Sequence, residues 1–143
     1  MWEYEYAVES DASAEALWRR WSDVAGWPEW NAGIESISID GRFAVGSSFT
    51  MTPPGDDPIT MRITEVVPGE LFTDEADLGE VVVRTAHRLE ALDDGRTRVV
   101  YRTEITGPAA AELGPQIGPA ITADFPDVVA ALVAAAGGIG VSS

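Results

Sequence analysis

The chain has 143 residues, which suits one domain whose folding buries roughly 70% of the unfolded surface. Apolar residues make up 45%, too many for a disordered chain, and a formal charge of −15 argues against nucleic acid or an anionic membrane as partner. There is no Cys, no Lys and one His (His87), which excludes thiolate, disulfide and Schiff-base chemistry and two-His metal motifs; no metal or cofactor is expected.

The opening MWEYEYAVES alternates. Trp2, Tyr4, Tyr6 and Val8 share one face, and Glu3, Glu5 and Glu9 share the other. A period of two predicts a half-buried strand. This acidic start lacks the apolar segment of a secretory signal. The longest uncharged run, Val128 to Val141 with the two serines that follow, is shorter than the roughly 20 residues that span a bilayer. A cytoplasmic protein with no stable membrane insertion is therefore expected, and the Arg-, Ala- and Gly-rich, Lys-free composition points to a GC-rich bacterial genome.

Ser13 fits a helix N-cap, with Glu15 in the first turn. Ala14, Leu17, Trp18 and Trp21 recur at i, i+3, i+4 and i+7, with Arg19 and Arg20 opposite, which predicts a short amphipathic helix. Gly26 and Pro28 interrupt it, so a second short helix or turn carries Trp27 and Trp30. From about Ile34 to Ile105 six strands are expected. Their turns fall at Asp40-Gly41, Pro53 to Pro58, Pro68-Gly69, near Gly79 and at Asp93-Asp94-Gly95. The close succession favours antiparallel hairpins.

Beyond Gly107 the period changes. Leu113, Ile117, Ile121, Phe125, Val128, Val129, Leu132 and Val133 follow spacings of three and four, predicting one long helix of about 25 residues. Pro119 and Pro126 each remove an internal hydrogen bond, so a kink is expected near one of them. Residues 1–137 read as a single domain and 138–143 as a flexible tail.

Charge placement orients the strands. Val81, Val83, Thr85, His87 and Leu89 face inward, with Arg84, Arg88 and Glu90 outward. Val99, Tyr101, Thr103 and Ile105 face inward on the next strand. Both inward sets are odd-numbered, so opposed residues must sum to an even number. A three-residue Asp93-Asp94-Gly95 loop with a left-handed Gly satisfies that parity and sets His87 opposite Tyr101. Phe72 and Ala76 suit an inner face, which brings Asp74 in with them, and a loop of the right length at Gly79 sets Asp74 beside His87. Thr73, Glu75 and Asp77 then read as solvated. Asp56 and Asp57 lack calcium-loop spacing.

Trp18, then Asp23 before Trp27-Pro28-Glu29-Trp30, then Gly46, Pro68-Gly69 and the terminal helix together resemble the START-like superfamily. This group is also called SRPBCC, polyketide cyclase/dehydrase or birch-pollen-allergen-like. The resemblance covers nearly the whole chain. It implies an α+β helix-grip fold: a curved, seven-stranded antiparallel sheet, in the order β-α-α-β6-α, around a long C-terminal helix with an internal cavity. Its functions are diverse, from lipid carriers to aromatase/cyclases.

A curved sheet cannot pack flush against one helix everywhere, so large side chains or a ligand must fill the gap. Trp18 and Trp21 are expected to pack the first helix onto the sheet. Trp27 and Trp30 are expected to close one end of the cavity, plain core packing of all four being the alternative. Further cavity contacts are expected from Phe49, Met51, Met61, Ile63 and Phe72, and from Thr85, His87, Tyr101 and Thr103. The terminal helix is expected to add Ile117, Ile121, Phe125 and Val128.

Three function classes fit this reading. The first is a small binding protein, monomer or homodimer, for a hydrophobic or aromatic ligand of lipid or polyketide type. The second is a cofactor-independent cyclase/dehydrase in which His87, Tyr101 or Asp74 moves protons. The third is a module that regulates a basic partner protein through its acidic face.

Overall fold

The computed structural model describes residues 1–139 and 141–142. The alternating N-terminal segment forms β1 (Trp2–Ser10). Helix α1 (Ala14–Ser22) follows, its first turn capped by Ser13, whose side chain accepts a hydrogen bond from the Ala16 N–H at 3.1 Å. A single 3-10 turn (Val24–Gly26) leads into α2 (Trp27–Trp30), with Pro28 in its first turn, where a missing N–H costs nothing. The six expected strands are β2 (Ser36–Asp40), β3 (Ser48–Thr52), β4 (Ile59–Val67), β5 (Leu71–Asp77), β6 (Val82–Ala91) and β7 (Thr97–Thr106).

All strands join one antiparallel sheet in the order β2-β3-β4-β5-β6-β7-β1-β8. The eighth, β8 (Val141–Ser142), pairs with Glu9 and Ser10 at the end of β1. The stretch expected as a flexible tail thus adds a short edge strand, and the Ile139 N–H donates to the Asp11 carboxylate at 2.8 Å. Gly140 and Ser143 of that stretch lie outside the described residues.

The β6–β7 loop has the three-residue form. Gly95 is left-handed (φ 81°), the Leu92 N–H donates to the Arg96 carbonyl at 2.9 Å, and His87 faces Tyr101. Strand β4 carries a β-bulge at Thr64: Ile63 pairs with Asp74, but Glu65 pairs with Thr73 and Val66 with Phe72. The extra residue keeps Met61, Ile63 and Val66 on the inner side while bending the strand. Thr73, expected to be solvated, is buried instead. Its hydroxyl donates to Glu65 at 3.2 Å and its carbonyl accepts from Thr64, so the bulged strand covers it.

On the sheet's outer face five glutamates among the described residues have cationic partners. Arg84 pairs with Glu75, Arg96 and Arg98 with Glu9, and Arg102 with Glu3, Glu5 and Glu104.

The expected long helix is two helices, α3 (Ala110–Thr122) and α4 (Phe125–Ala135), interrupted at Ala123-Asp124 just before Pro126. Together Ala110–Ala135 have the length and apolarity of a membrane span, yet here they form the core helix. Val129, Leu132 and Val133 of α4 are fully buried in the main core with Leu17 and Trp21 of α1. Helix α3 belongs to a second, smaller cluster with Val81, Val83 and Ile105. It approaches β1 closely because Gly114 and Gly118 lie under the Trp2 side chain. A Cβ on Gly114 would stand 2.5 Å from the Trp2 Cβ, and one on Gly118 2.6 Å from three of its ring carbons.

That contact is testable. Gly114→Ala should gain about 1 kcal/mol of helix propensity yet lower stability overall by about 1–3 kcal/mol, because helix and strand must move apart. Urea denaturation measures the difference. Gly118→Ala should be rescued by Trp2→Ala more completely than Gly114→Ala is, since its clash is with the indole ring alone.

Candidate ligand-binding site

Strand pairing sets three inward rows across β5, β6, β7 and β1. The first is Phe72, His87, Tyr101 and Tyr6; the second is Asp74, Thr85, Thr103 and Tyr4; the third is Ala76, Val83, Ile105 and Trp2. Period-two alternation makes each row a strip of the sheet's inner surface.

The first row is aromatic. The His87 ring stacks on Phe72, with centroids 4.0 Å apart and planes 2° from parallel, and Tyr101 meets it edge-on at 4.7 Å. Trp21 stands over this group. Its Nε1–H donates to the Tyr101 hydroxyl at 3.2 Å, and its carbonyl accepts from the Trp27 Nε1–H at 3.0 Å. Both buried indole N–H groups are thereby satisfied. The His87 Nδ1 lies 3.2 Å from the Phe72 carbonyl oxygen. A carbonyl can only accept, so Nδ1 carries the proton and Nε2 keeps its lone pair. Burial pushes the imidazole down to about 3, so the ring is neutral at physiological pH.

Between the rows and the helices lies a cavity of about 420 Å³. Phe72, Asp74, Ala76, Val83, Thr85, His87 and Tyr101 line its floor, and Met51, Ile59 and Met61 one side. Trp21, Trp27, Trp30, Ile117, Ile121, Phe125 and Val128 cover it. The cover residues come from α1, α2, α3 and α4, so the helix break at Asp124 sits on the cavity wall.

Most of the expected contacts meet here; Phe49, Ile63 and Thr103 do not line the cavity. Phe49 is buried under the edge of Trp27, ring centroids 5.3 Å apart. Ile63 is wholly enclosed in the main core. Thr103 is buried with its hydroxyl bonded to that of Thr85 at 2.9 Å. Trp18 turns from the cavity to pack against Phe43 at 5.8 Å. Sequence reasoning missed Trp21, Asn31, Ile34, Ile59, Leu78 and Asp124 as lining residues, and it read Ala76 and Val83 as inward-facing without placing them at the cavity. The spacing from Leu17 to Trp21 marked an inward side chain but not how far it reaches.

Asp74 faces inward as expected but not beside His87. The β5–β6 connection sets it opposite Thr85 and sets Phe72 opposite His87. Its carboxyl is buried, and burial pushes it up to about 7, opposed by a hydrogen bond from its own backbone N–H. Burial also raises the Tyr101 phenol, partly offset by the Trp21 hydrogen bond. Asp124 is raised by burial too. Desolvation therefore acts on both signs: it keeps His87 from charging and holds Asp74 near neutrality. Among the described residues no cluster of His, Asp and Glu could hold a metal ion.

The family model described as polyketide cyclase / dehydrase and lipid transport matches residues 1–137. Solved structures share the fold at low identity. Ara h 8.0201 is 16% identical, with 94% of this chain and 96% of that one covered and a TM-score of 0.78. The Zhui aromatase/cyclase from Streptomyces sp. R1128 is 16% identical, covering 94% and 93%, at 0.76. Truncated norcoclaurine synthase from Thalictrum flavum is 18% identical, covering 92% and 90%, at 0.74. No functionally curated protein sequence matches.

Two titrations follow from these environments. The His87 ring should stay neutral from pH 8 to pH 4 in an NMR titration. Its folded-state value lies below the unfolded 6.5, so its contribution to stability is complete above pH 6.5 and is lost as pH falls toward 3. Asp74 has the opposite sign. Its folded value exceeds the unfolded 3.8, so its contribution is present below pH 3.8 and is lost as pH rises through 7. Asp74→Asn should therefore stabilise the protein by about 2–4 kcal/mol at pH 8 and by little at pH 3.5, measured by urea denaturation.

Proposed function

The chain belongs to the polyketide cyclase / dehydrase and lipid transport family, and from that premise we propose that it binds a small hydrophobic or aromatic molecule between the sheet and the C-terminal helices. The observation that carries this reading is the 420 Å³ cavity, walled mainly by aromatic and aliphatic side chains with a few polar groups on its floor. That is the usual make-up of a small-molecule site, where apolar walls supply affinity and isolated polar groups supply orientation. The two ligand classes in the family's description, polyketides and lipids, are both largely apolar. Leu78, which lines the cavity and is 55% exposed, supports access from the β5–β6 end.

A second reading, a cyclase/dehydrase-type enzyme, is favoured by one observation: Asp74 is buried at the cavity floor and titrates near neutral pH. His87, pushed down to about 3, is too weak a base to lead proton transfer, so Asp74 takes that role and His87 and Tyr101 orient the substrate. In this reading Asp74→Asn costs about 100-fold or more in turnover with substrate binding retained.

The binding reading is tested with N-phenyl-1-naphthylamine, an uncharged apolar probe whose emission rises in dry surroundings. Fluorescence titration should give sub-millimolar affinity for the natural chain. It should weaken at least about tenfold in Ala76→Phe, which fills the floor at a buried cavity position. A natural chain that leaves the probe's emission unchanged would overturn the reading.

A further inference from the structure

The polar groups of the cavity are one-sided in charge. Asp74 and Asp124 border it, no Arg does, and the chain has no Lys. The nearest Arg on the neighbouring strand, Arg84, points to the outer face and pairs with Glu75. Asp74 is 6% exposed and sits between Ile63 of β4 and Thr85 of β6. Among the described residues its hydrogen bond comes from its own backbone N–H. The polar groups near it make their hydrogen bonds to other partners. The Thr85 hydroxyl is bonded to Thr103 and the His87 Nδ1 to the Phe72 carbonyl; the Tyr101 hydroxyl accepts from Trp21 and keeps its own O–H, which makes no bond to Asp74 among the described residues. A buried carboxylate is normally matched by a cation or by several donors. Among the described residues this one meets neither, and its open side is the cavity.

We propose that the cavity takes an apolar or aromatic amine whose ammonium group seats on the Asp74 carboxylate; this rests on the ligand-binding reading and names its ligand class. Spacing favours an arylalkyl amine. Asp74 lies two residues, or about 7 Å along the strand, from Phe72 and the aromatic row. An ammonium on a one- or two-carbon arm therefore reaches the carboxylate while its ring lies against Phe72, Trp21 and His87. Anions are disfavoured by Asp74, by Asp124 across the cavity and by the net charge of −15.

Binding also moves a proton. The groups facing Asp74 are Ile63, Thr85, the phenol of Tyr101, the neutral His87 and the carboxyl of Asp124. None is a cation, so the free carboxyl keeps its proton below pH 7 and gives it up when the ammonium arrives.

The test is calorimetry with 1-naphthylmethylamine, 1-naphthalenemethanol and 1-naphthoate on the natural chain and on Asp74→Asn. At pH 8 the amine should bind the natural chain at least about tenfold more tightly than the alcohol, as a charge-assisted hydrogen bond requires, with naphthoate weakest. In Asp74→Asn the alcohol should keep its affinity and the amine should lose its advantage. In the natural chain at pH 6, titration in buffers of different ionisation enthalpy should show about one proton released per amine bound, falling to none above pH 8. Equal binding of amine and alcohol, or an amine preference that survives in Asp74→Asn, overturns the proposal and leaves the binding reading intact. If neither the amine nor the alcohol binds the natural chain, both readings fail together. Should Asp74→Asn not fold, the proton count decides alone, and no release at pH 6 overturns the proposal.

Discussion

The buried stripe on α4 anchors one end of the C-terminal segment, while α3 meets β1 through Gly114 and Gly118 under Trp2. Val129, Leu132 and Val133 are fully buried, and Phe125 nearly so. The sheet curves away from a straight cylinder, so tight contact at this end requires a gap elsewhere along the helix. The gap opens over β5, β6 and β7, where Ile117, Ile121 and Val128 are only partly buried. The interior space thus follows from a mismatch of shapes, with α1 and α2 wedged in to cover part of it. Their tryptophans suit the task because a large flat ring covers much area and its N–H needs only one acceptor. Trp21 and Trp27 find those acceptors in a tyrosine hydroxyl and a backbone carbonyl.

The same dryness gives the cavity floor its character. Removal from water pushes the imidazole toward its neutral form and the carboxyl toward its protonated form, so an empty floor below pH 7 carries almost no charge. The two groups respond differently to a visitor. His87 is held by stacking and by the Phe72 carbonyl, and it offers a fixed lone pair. Among the described residues Asp74 is bonded to its own backbone N–H, and burial holds its proton on up to about pH 7. A central strand position that a neutral residue would fill at lower cost is thus held by an acid.

The strands and their facing were legible because they depend on local rules. Alternation placed Trp2, Tyr4, Tyr6 and Val8 on one side, and the parity of the Asp93-Asp94-Gly95 loop led to the His87–Tyr101 pair. Asp74 shows where local rules stop. Its face could be read from Phe72 and Ala76, but its partner depended on the length of the β5–β6 connection, which has no unique turn signature. The bulge at Thr64 left no mark in the pattern, and without it the covering of Thr73 was invisible. Phe49, Ile63 and Thr103 face inward as read; whether an inward residue touches a cavity or other side chains depends on packing depth, which periodicity does not encode. Pro119 and Pro126 announced an interruption in the terminal segment, and Pro126 marks where it falls.

The cavity's two covering helices differ in how firmly they are fixed. Pro115 and Pro119 lie inside α3 and supply no N–H, so the carbonyls of Ala111 and Pro115 lack their helical donors. Helix α4 has its one proline in its first turn, where none is missed, and it owns the buried stripe. Local opening free energy is therefore lower in α3 than in α4, and the α3 amides should trade hydrogen with solvent before those of α4. The helix with the two missing hydrogen bonds carries Ile117 and Ile121, so the unpaired carbonyls sit in the segment that roofs the hollow.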